Sequence, residues 1–340
     1  MLLSTPLPVV GLSPGCWPHR PSPGVTLGLR RCGSPDKGGG CWEELFLVGA
    51  VLAATGYHIV LVGTSVLRNA LRRLEAGSVG GCVAPEECRE VLAACADPSR
   101  LDRGRCREGI GACMEFLRCM VEQDPAGMSA ELNAMDWVLG SGCSGVSGVV
   151  LLASDTPEGE AAARVLDEYL STRGCPSRVR VVRGLGSDAG FWPGLVELAR
   201  VVAEEARGAY AMGHFIYLNA TGGFKPESGF AVLAATAVAP VSAYYKHEAM
   251  KETVLLPMIP VAVDAGRMRA IVSKLELAAV PGKKLDPGDP QLEDIRWVLH
   301  FLAKTGVLRD EDGLLVVDEK AADIMSLIAR VYEAILGELG

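Results

Sequence analysis

Labile amides are scarce. The 340-residue chain holds three asparagines and two glutamines, a composition that fits a thermophile. Its 11 cysteines include no C-x-x-C pair, and their closest neighbours lie six or seven residues apart, which argues against a zinc site. A basic excess is also missing. The formal charge is −8, so no whole-chain field draws nucleic acid, and an anionic ligand needs a local cluster of donors and cations. The apolar residues 1–10 lack a basic start and are interrupted by Pro6 and Pro8, so no secretory signal is expected. One stretch, residues 45–62, approaches membrane-span length, but Thr55, Gly56, Tyr57 and His58 break it. It reads instead as a short helix followed by a buried strand. These absences point to a cytoplasmic protein with no membrane span, no metal and no cofactor.

What is present suits a folded α/β protein. Hydrophobic residues make up 49% of the chain and charged residues 22%. The length allows one large domain and a smaller appendage. Cys88 and Cys95, like Cys106 and Cys113, recur at i and i+7 within helical-looking stretches, so each pair shares a helix face. Buried thiols or a few disulfides are the expectation, and disulfides inside the cell are less surprising in a thermophile.

Residues 1–44 are rich in Pro, Gly and Cys and show no helical or strand period. An N-terminal extension over residues 1–56 is expected, its first part a loose segment or the product of a start codon placed too far upstream. Order begins near Tyr57. Residues 58–62 form a short apolar strand, Gly63-Thr64-Ser65 ends it, and residues 66–75 form an amphipathic helix. A helical block covers residues 85–139, and a Gly/Ser loop runs over 140–148. Strands at 149–153, 179–182 and 215–218 then alternate with helices that start at Thr156-Pro157, near 191–206 and near 227–238. Two further strands are expected near 241–245 and 253–259. Wholly apolar strands alternating with helices predict a doubly wound, mostly parallel sheet covered on both faces, a Rossmann-like α/β domain over residues 57–262. A helix and a Pro/Gly-rich linker fill 263–290. Residues 291–340 resemble part of a winged-helix domain, with helices at 292–303 and 321–336 around a strand at 314–317. That tail is acidic, and its last helix carries one basic residue, Arg330, so it is not expected to bind nucleic acid.

Two loops carry the chemistry. Gly63, Thr64 and Ser65 follow the first strand; Asn219, Thr221, Gly222, Gly223 and Lys225 follow strand 215–218. Each loop leaves the carboxyl end of a strand and enters a helix, where open α/β sheets bind ligands and helix amino termini favour phosphate. Glycines let an anion approach the backbone, Ser65 and Thr221 offer hydroxyls, and Lys225 offers charge. The plainer reading is a helix cap at Thr64 or Ser65, a tight Gly-Gly turn and a solvated lysine. Neither loop matches the P-loop or the dinucleotide fingerprint, so ordinary NTPase or NAD chemistry is not supported. Arg68, Lys246 and His247 are further candidate ligand contacts. Glu86-Glu87, Glu204-Glu205 and Asp310-Glu311-Asp312 read as exposed faces or turns, and no general base is evident beside the loops.

The segment from Val60 to Asn69 resembles the first motif of the CARF family, the Rossmann-like sensor of type III CRISPR systems. The segment from Phe215 to Lys225 resembles the second motif and is the more specific of the two, and Ala243 to Glu248 with Val254 to Pro257 is similar to archaeal members. The resemblance spans residues 57–262. It implies a homodimer that binds a cyclic oligoadenylate, tetra- or hexa-adenylate, between its subunits. Ser65 and Lys225 match the serine and lysine of the family's ring nucleases, which implies metal-independent cleavage by a ribose 2′-OH and a 2′,3′-cyclic phosphate product. A non-cleaving sensor acting through the C-terminal piece is the alternative. A HEPN ribonuclease is disfavoured: Arg207 to His214 has its motif spacing but lies inside the α/β domain, and Arg296 to His300 is too close.

Overall fold

The computed structural model describes residues 55–97, 99–186, 191–223, 225–247, 250–256 and 261–339. The expected N-terminal extension therefore falls almost wholly outside the described residues, as does the end of the strand expected near 253–259.

The chain enters through β1 (Gly56–Leu61) and α1 (Ser65–Glu75), and then runs through α2 (Cys88–Ala96) and α3 (Arg103–Gln123). Three short helices follow: α4 (Pro125–Met128), α5 (Ala130–Ala134) and α6 (Asp136–Leu139). Strict alternation begins after them, with β2 (Val146–Ser154), α7 (Pro157–Thr172), β3 (Ser177–Val182), α8 (Phe191–Ala211), β4 (Phe215–Asn219), α9 (Lys225–Val238) and β5 (Val241–Tyr245). The cap expected at Thr156 is formed: its hydroxyl accepts the Gly159 amide at 3.0 Å, with Pro157 in the first turn.

These strands lie in the order β3-β2-β1-β4-β5-β6, all parallel except β6 (Val254–Leu255), which pairs antiparallel with β5. The fold is thus a doubly wound, Rossmann-like α/β fold. The pleat sends successive side chains to opposite faces. Val60, Val149 and Leu151 pack under α1 to α7, whereas Ile59, Leu61, Val150 and Leu152 pack against α8 and α9. Both faces are covered, which is why these strands read as unbroken apolar runs.

Among the described residues, eight cysteines are paired: Cys82–Cys119, Cys88–Cys113, Cys95–Cys106 and Cys143–Cys175. The first three form successive rungs that tie α2 and the segment before it to the antiparallel α3. Each i, i+7 pair on one helix faces its counterpart on the other.

One expectation is corrected in this layer. Glu205 is not on an exposed face. It is 7% exposed in α8 and accepts bonds from Tyr57 (2.7 Å), Arg178 (2.5 Å) and Arg180 (2.6 Å). Alternation along β3 turns both arginines toward α8. Burial raises the Glu205 carboxyl, but these donors outweigh it and hold it below its ordinary range. Glu204 is also engaged, by Arg180 at 2.6 Å.

Beyond β6 come α10 (Ala265–Ala278), β7 (Lys284–Leu285), a 3-10 helix at Pro290–Ile295, α11 (Arg296–Lys304), β8 (Arg309–Glu311), β9 (Leu314–Val316) and α12 (Glu319–Leu339). Leu285, from the segment read as a linker, is buried, and β7 pairs with β9 in a three-stranded antiparallel sheet. Leu275, Ile295, Leu299 and Met325 form the core here, while Ile335 of α12 joins the core beneath α8. The last helix therefore packs on the sheet's helical layer as well as on its own small core.

Candidate functional site

Strand order reverses between β1 and β4, because the chain lays β2 and β3 to one side and then returns to the other. The loops after β1 and β4 consequently leave neighbouring carboxyl ends, the place where such sheets hold ligands. They touch: a Cβ built on Gly63 would stand 3.0 Å from the Gly223 amide nitrogen. Gly223 itself has φ +77°, a left-handed conformation that favours glycine.

Asn219, fully buried, shapes the second loop. Its Oδ1 accepts the Thr221 amide at 3.0 Å, and its Nδ2 donates to the Glu131 carbonyl at 3.1 Å. Thr221 Oγ1 accepts the Lys246 amide at 3.3 Å. Thr64 stands at the N-cap of α1 without a side-chain capping bond, so capping does not account for its hydroxyl.

The centre of the arrangement is a residue that sequence reasoning missed. Glu131, 1% exposed on the short helix α5, sits between the two loops. Its Oε1 accepts the Gly63 amide at 2.7 Å, and its Oε2 accepts the hydroxyls of Ser65 at 2.9 Å and Ser129 at 2.7 Å. Ser65 Oγ in turn accepts the Ala130 amide at 3.2 Å. A carboxylate therefore does lie beside the loops, where the sequence made none evident. The Ser65 hydroxyl, expected to donate toward a phosphate, points its proton at Glu131 instead.

A cavity of about 610 Å³ opens here. Gly63, Thr64, Ser65, Arg68, Thr221, Gly222 and Gly223 line it, Asn219 does not, and Glu131, Arg103 and Glu158 join them. Arg103 Nε donates to Glu158 Oε1 at 3.0 Å, and the buried Glu158 Oε2 has no hydrogen-bond partner. The Cys95 of one disulfide rung also forms part of the wall. Neither Lys225 nor Lys246 nor His247 is in that wall. Lys225 is exposed at the first residue of α9 and His247 is exposed past β5, whereas Lys246 is buried with its ammonium paired to Asp136. Burial raises the Asp136 carboxyl, but Lys246 and Thr253 more than offset this and hold it below its ordinary range.

A second cavity of about 450 Å³ is lined by Asp136, Trp137, Tyr217, Tyr244 and Lys251, among others. Beneath its rings His58 stacks on Tyr217 with centroids 5.0 Å apart, and burial pushes the imidazole down to about 4. Among the described residues, no cluster of three or more His, Cys, Asp or Glu side chains could hold a metal ion. No helix among them is long and apolar enough to cross a membrane.

A family model described as "CRISPR-associated protein (Cas_APE2256)" matches residues 126–259. The matched segment holds Glu131 and the second loop, while the first loop precedes it. The match supports a CRISPR-associated protein with a role in a CRISPR system. The crystal structure of protein VC1899 from Vibrio cholerae is similar at 10% identity and a TM-score of 0.27, covering 80% of this chain. This chain spans 64% of that protein, and so loose a likeness carries no argument.

Proposed function

We propose that the chain is a CARF-domain protein that binds a cyclic oligoadenylate across a homodimer and cleaves the ring. The observation that carries this reading is the meeting of the two glycine loops at the switch point, around a cavity of about 610 Å³. That volume lies within the range of about 300–1,000 Å³ usual for ligand pockets. The CRISPR-associated match gives the class of system in which such a messenger acts.

The reaction asks little of the protein beyond placement and charge. A ribose 2′-OH attacks the adjacent phosphorus, an O2′–P bond forms and the P–O5′ bond breaks. The 2′-OH proton leaves, the departing 5′ oxygen gains one, and the product ends in a 2′,3′-cyclic phosphate. Gly223, exposed in the second loop, admits the phosphate to the backbone, Gly222 makes room for the Glu131 carboxylate behind it, and Arg68 supplies a cation in the cavity wall. Lys225 stands outside the cavity wall, exposed at the amino end of α9. From there it is assigned to a ring that extends beyond the cavity across the dimer, neutralising charge on the phosphorane and protonating the 5′ oxygen. Holding the 2′ oxygen in line supplies the rest.

Incubation with cyclic tetra-adenylate in EDTA, followed by chromatography, tests this. Linear fragments ending in 2′,3′-cyclic phosphate are expected from the wild type, with cleavage lost in Lys225→Ala. Intact ligand recovered from a tight complex would leave a sensor without ring-nuclease activity.

A further inference from the structure

Glu131 is out of place in a site built only to bind phosphate. Its carboxylate is 1% exposed and sits against the backbone of both loops. A buried negative charge repels an incoming phosphate and takes donors that the phosphate could use. Here it already holds the Gly63 amide and the Ser65 hydroxyl, at 2.7 Å and 2.9 Å. Such an arrangement weakens binding, so its presence needs another explanation.

The hydrogen bonds around Ser65 supply one. A serine hydroxyl has one proton and two lone pairs. The proton goes to Glu131 Oε2, and one lone pair takes the Ala130 amide at 3.2 Å. One lone pair is left, on an atom whose residue lines the cavity. Ser65 therefore meets a ligand as an acceptor, and the ligand atom that suits it is a hydroxyl proton. Ser129 and the Gly63 amide fix the carboxylate behind it, leaving the Glu131 side chain little freedom to turn away.

Resting on the reading of the site as a ring nuclease, we propose that Glu131 is the positioning residue and proton sink of the cleavage step, acting through Ser65. As the O2′–P bond forms, the 2′-OH proton passes to Ser65 Oγ and the proton of Ser65 passes to Glu131 Oε2. The P–O5′ bonding pair leaves with the 5′ oxygen, which is protonated by Lys225. Ser65 ends as it began, Glu131 is left protonated and Lys225 neutral, and exchange with solvent restores both. No metal or other co-reactant enters the balance. The carboxylate, a liability for affinity, is what a hydroxyl relay requires.

The test separates binding from chemistry with cyclic tetra-adenylate as the probe. Glu131→Gln keeps the shape and an oxygen for the Gly63 amide, but its NH2 must donate to Ser65 and turn the serine proton outward. Its dissociation constant is expected to match or fall below that of the wild type, while the single-turnover rate falls by about 100-fold or more. Glu131→Asp should recover part of that rate. Glu131→Gln combined with Ser65→Ala should be no slower than the slower single variant, since both remove one relay. Cleavage by Glu131→Gln at the wild-type rate would overturn the inference and leave the ring-nuclease reading standing. Parallel loss of binding and cleavage in Glu131→Gln, with no recovery in Glu131→Asp, would reduce Glu131 to a structural rivet. A wild type that binds but does not cleave would overturn both.

Discussion

The carboxylate of Glu131 and the backbone of Gly222 occupy adjoining space with no room for a side chain between them. A Cβ at position 222 would collide with Glu131 Oε1 and with the Leu61 carbonyl oxygen. One of these is main chain at the end of β1, and the other belongs to a carboxylate whose two oxygens accept three hydrogen bonds, so neither can yield cheaply. Gly222→Ala is accordingly expected to destabilise the protein by about 1–3 kcal/mol and to abolish binding of cyclic oligoadenylate. Gly229 offers the control. It lies in α9, nothing lies within 4 Å of its added Cβ, and Gly229→Ala should stabilise by about 0.5–1 kcal/mol. Thermal melts of the two variants should move in opposite directions.

The cysteine rungs give a second expectation. Peptide mapping without reductant should recover Cys82–Cys119, Cys88–Cys113 and Cys95–Cys106 as the pairs joining α2 and its approach to α3. Their sequence separations of 37, 25 and 11 residues define nested loops. Each bridge on its own is expected to contribute about 2–4 kcal/mol, and all three together less than their sum because the loops share residues. Reductant should lower the melting temperature. An unchanged melt, together with 11 titratable thiols in the unfolded chain, would contradict the pairing.

A third expectation concerns acid. His58 titrates near 6.5 when unfolded and near 4 in the fold, where burial disfavours its charge. The unfolded chain then binds the proton first. The stability owed to neutral His58 is complete above pH 6.5 and is lost as pH falls toward 4, about 2 kcal/mol of it between pH 7.5 and pH 5. Asp136 and Glu205, both held below their ordinary range, lose stability in the same direction but at lower pH. Denaturant unfolding at pH 7.5 and pH 5 checks this. His58→Phe should remove most of the difference, and an unchanged difference would place the titration elsewhere.

The sheet was legible because its central strands β1 and β2 are covered on both faces and so appear as largely apolar runs, whereas the edge strand β3 alternates arginine with valine. The two loops were legible because glycine comes two residues after β1 and three residues after β4. Glu131 was not. It lies 66 residues from Ser65, on a helix of five residues too short to show a period, and only the fold brings the two together. Glu205 was misread because its partners Arg178 and Arg180 sit on a different element. β8 carries three exposed charged residues and is held by its pairing with β9, which no hydrophobic pattern announces. The cysteines held more information than their helical faces suggested. From Cys82 to Cys119 the gaps run six, seven, eleven, seven and six, a symmetric series that matches two antiparallel helices bridged rung by rung.

The most direct test of the central claim is an isothermal titration of the full chain with cyclic tetra-adenylate, wild type beside Gly222→Ala. The expected result is saturable binding by the wild type with one ring per two chains, and no detectable heat from the folded variant. Absence of wild-type binding at tens of micromolar ligand, or equal binding by both proteins, would contradict a messenger site at the meeting of the two loops.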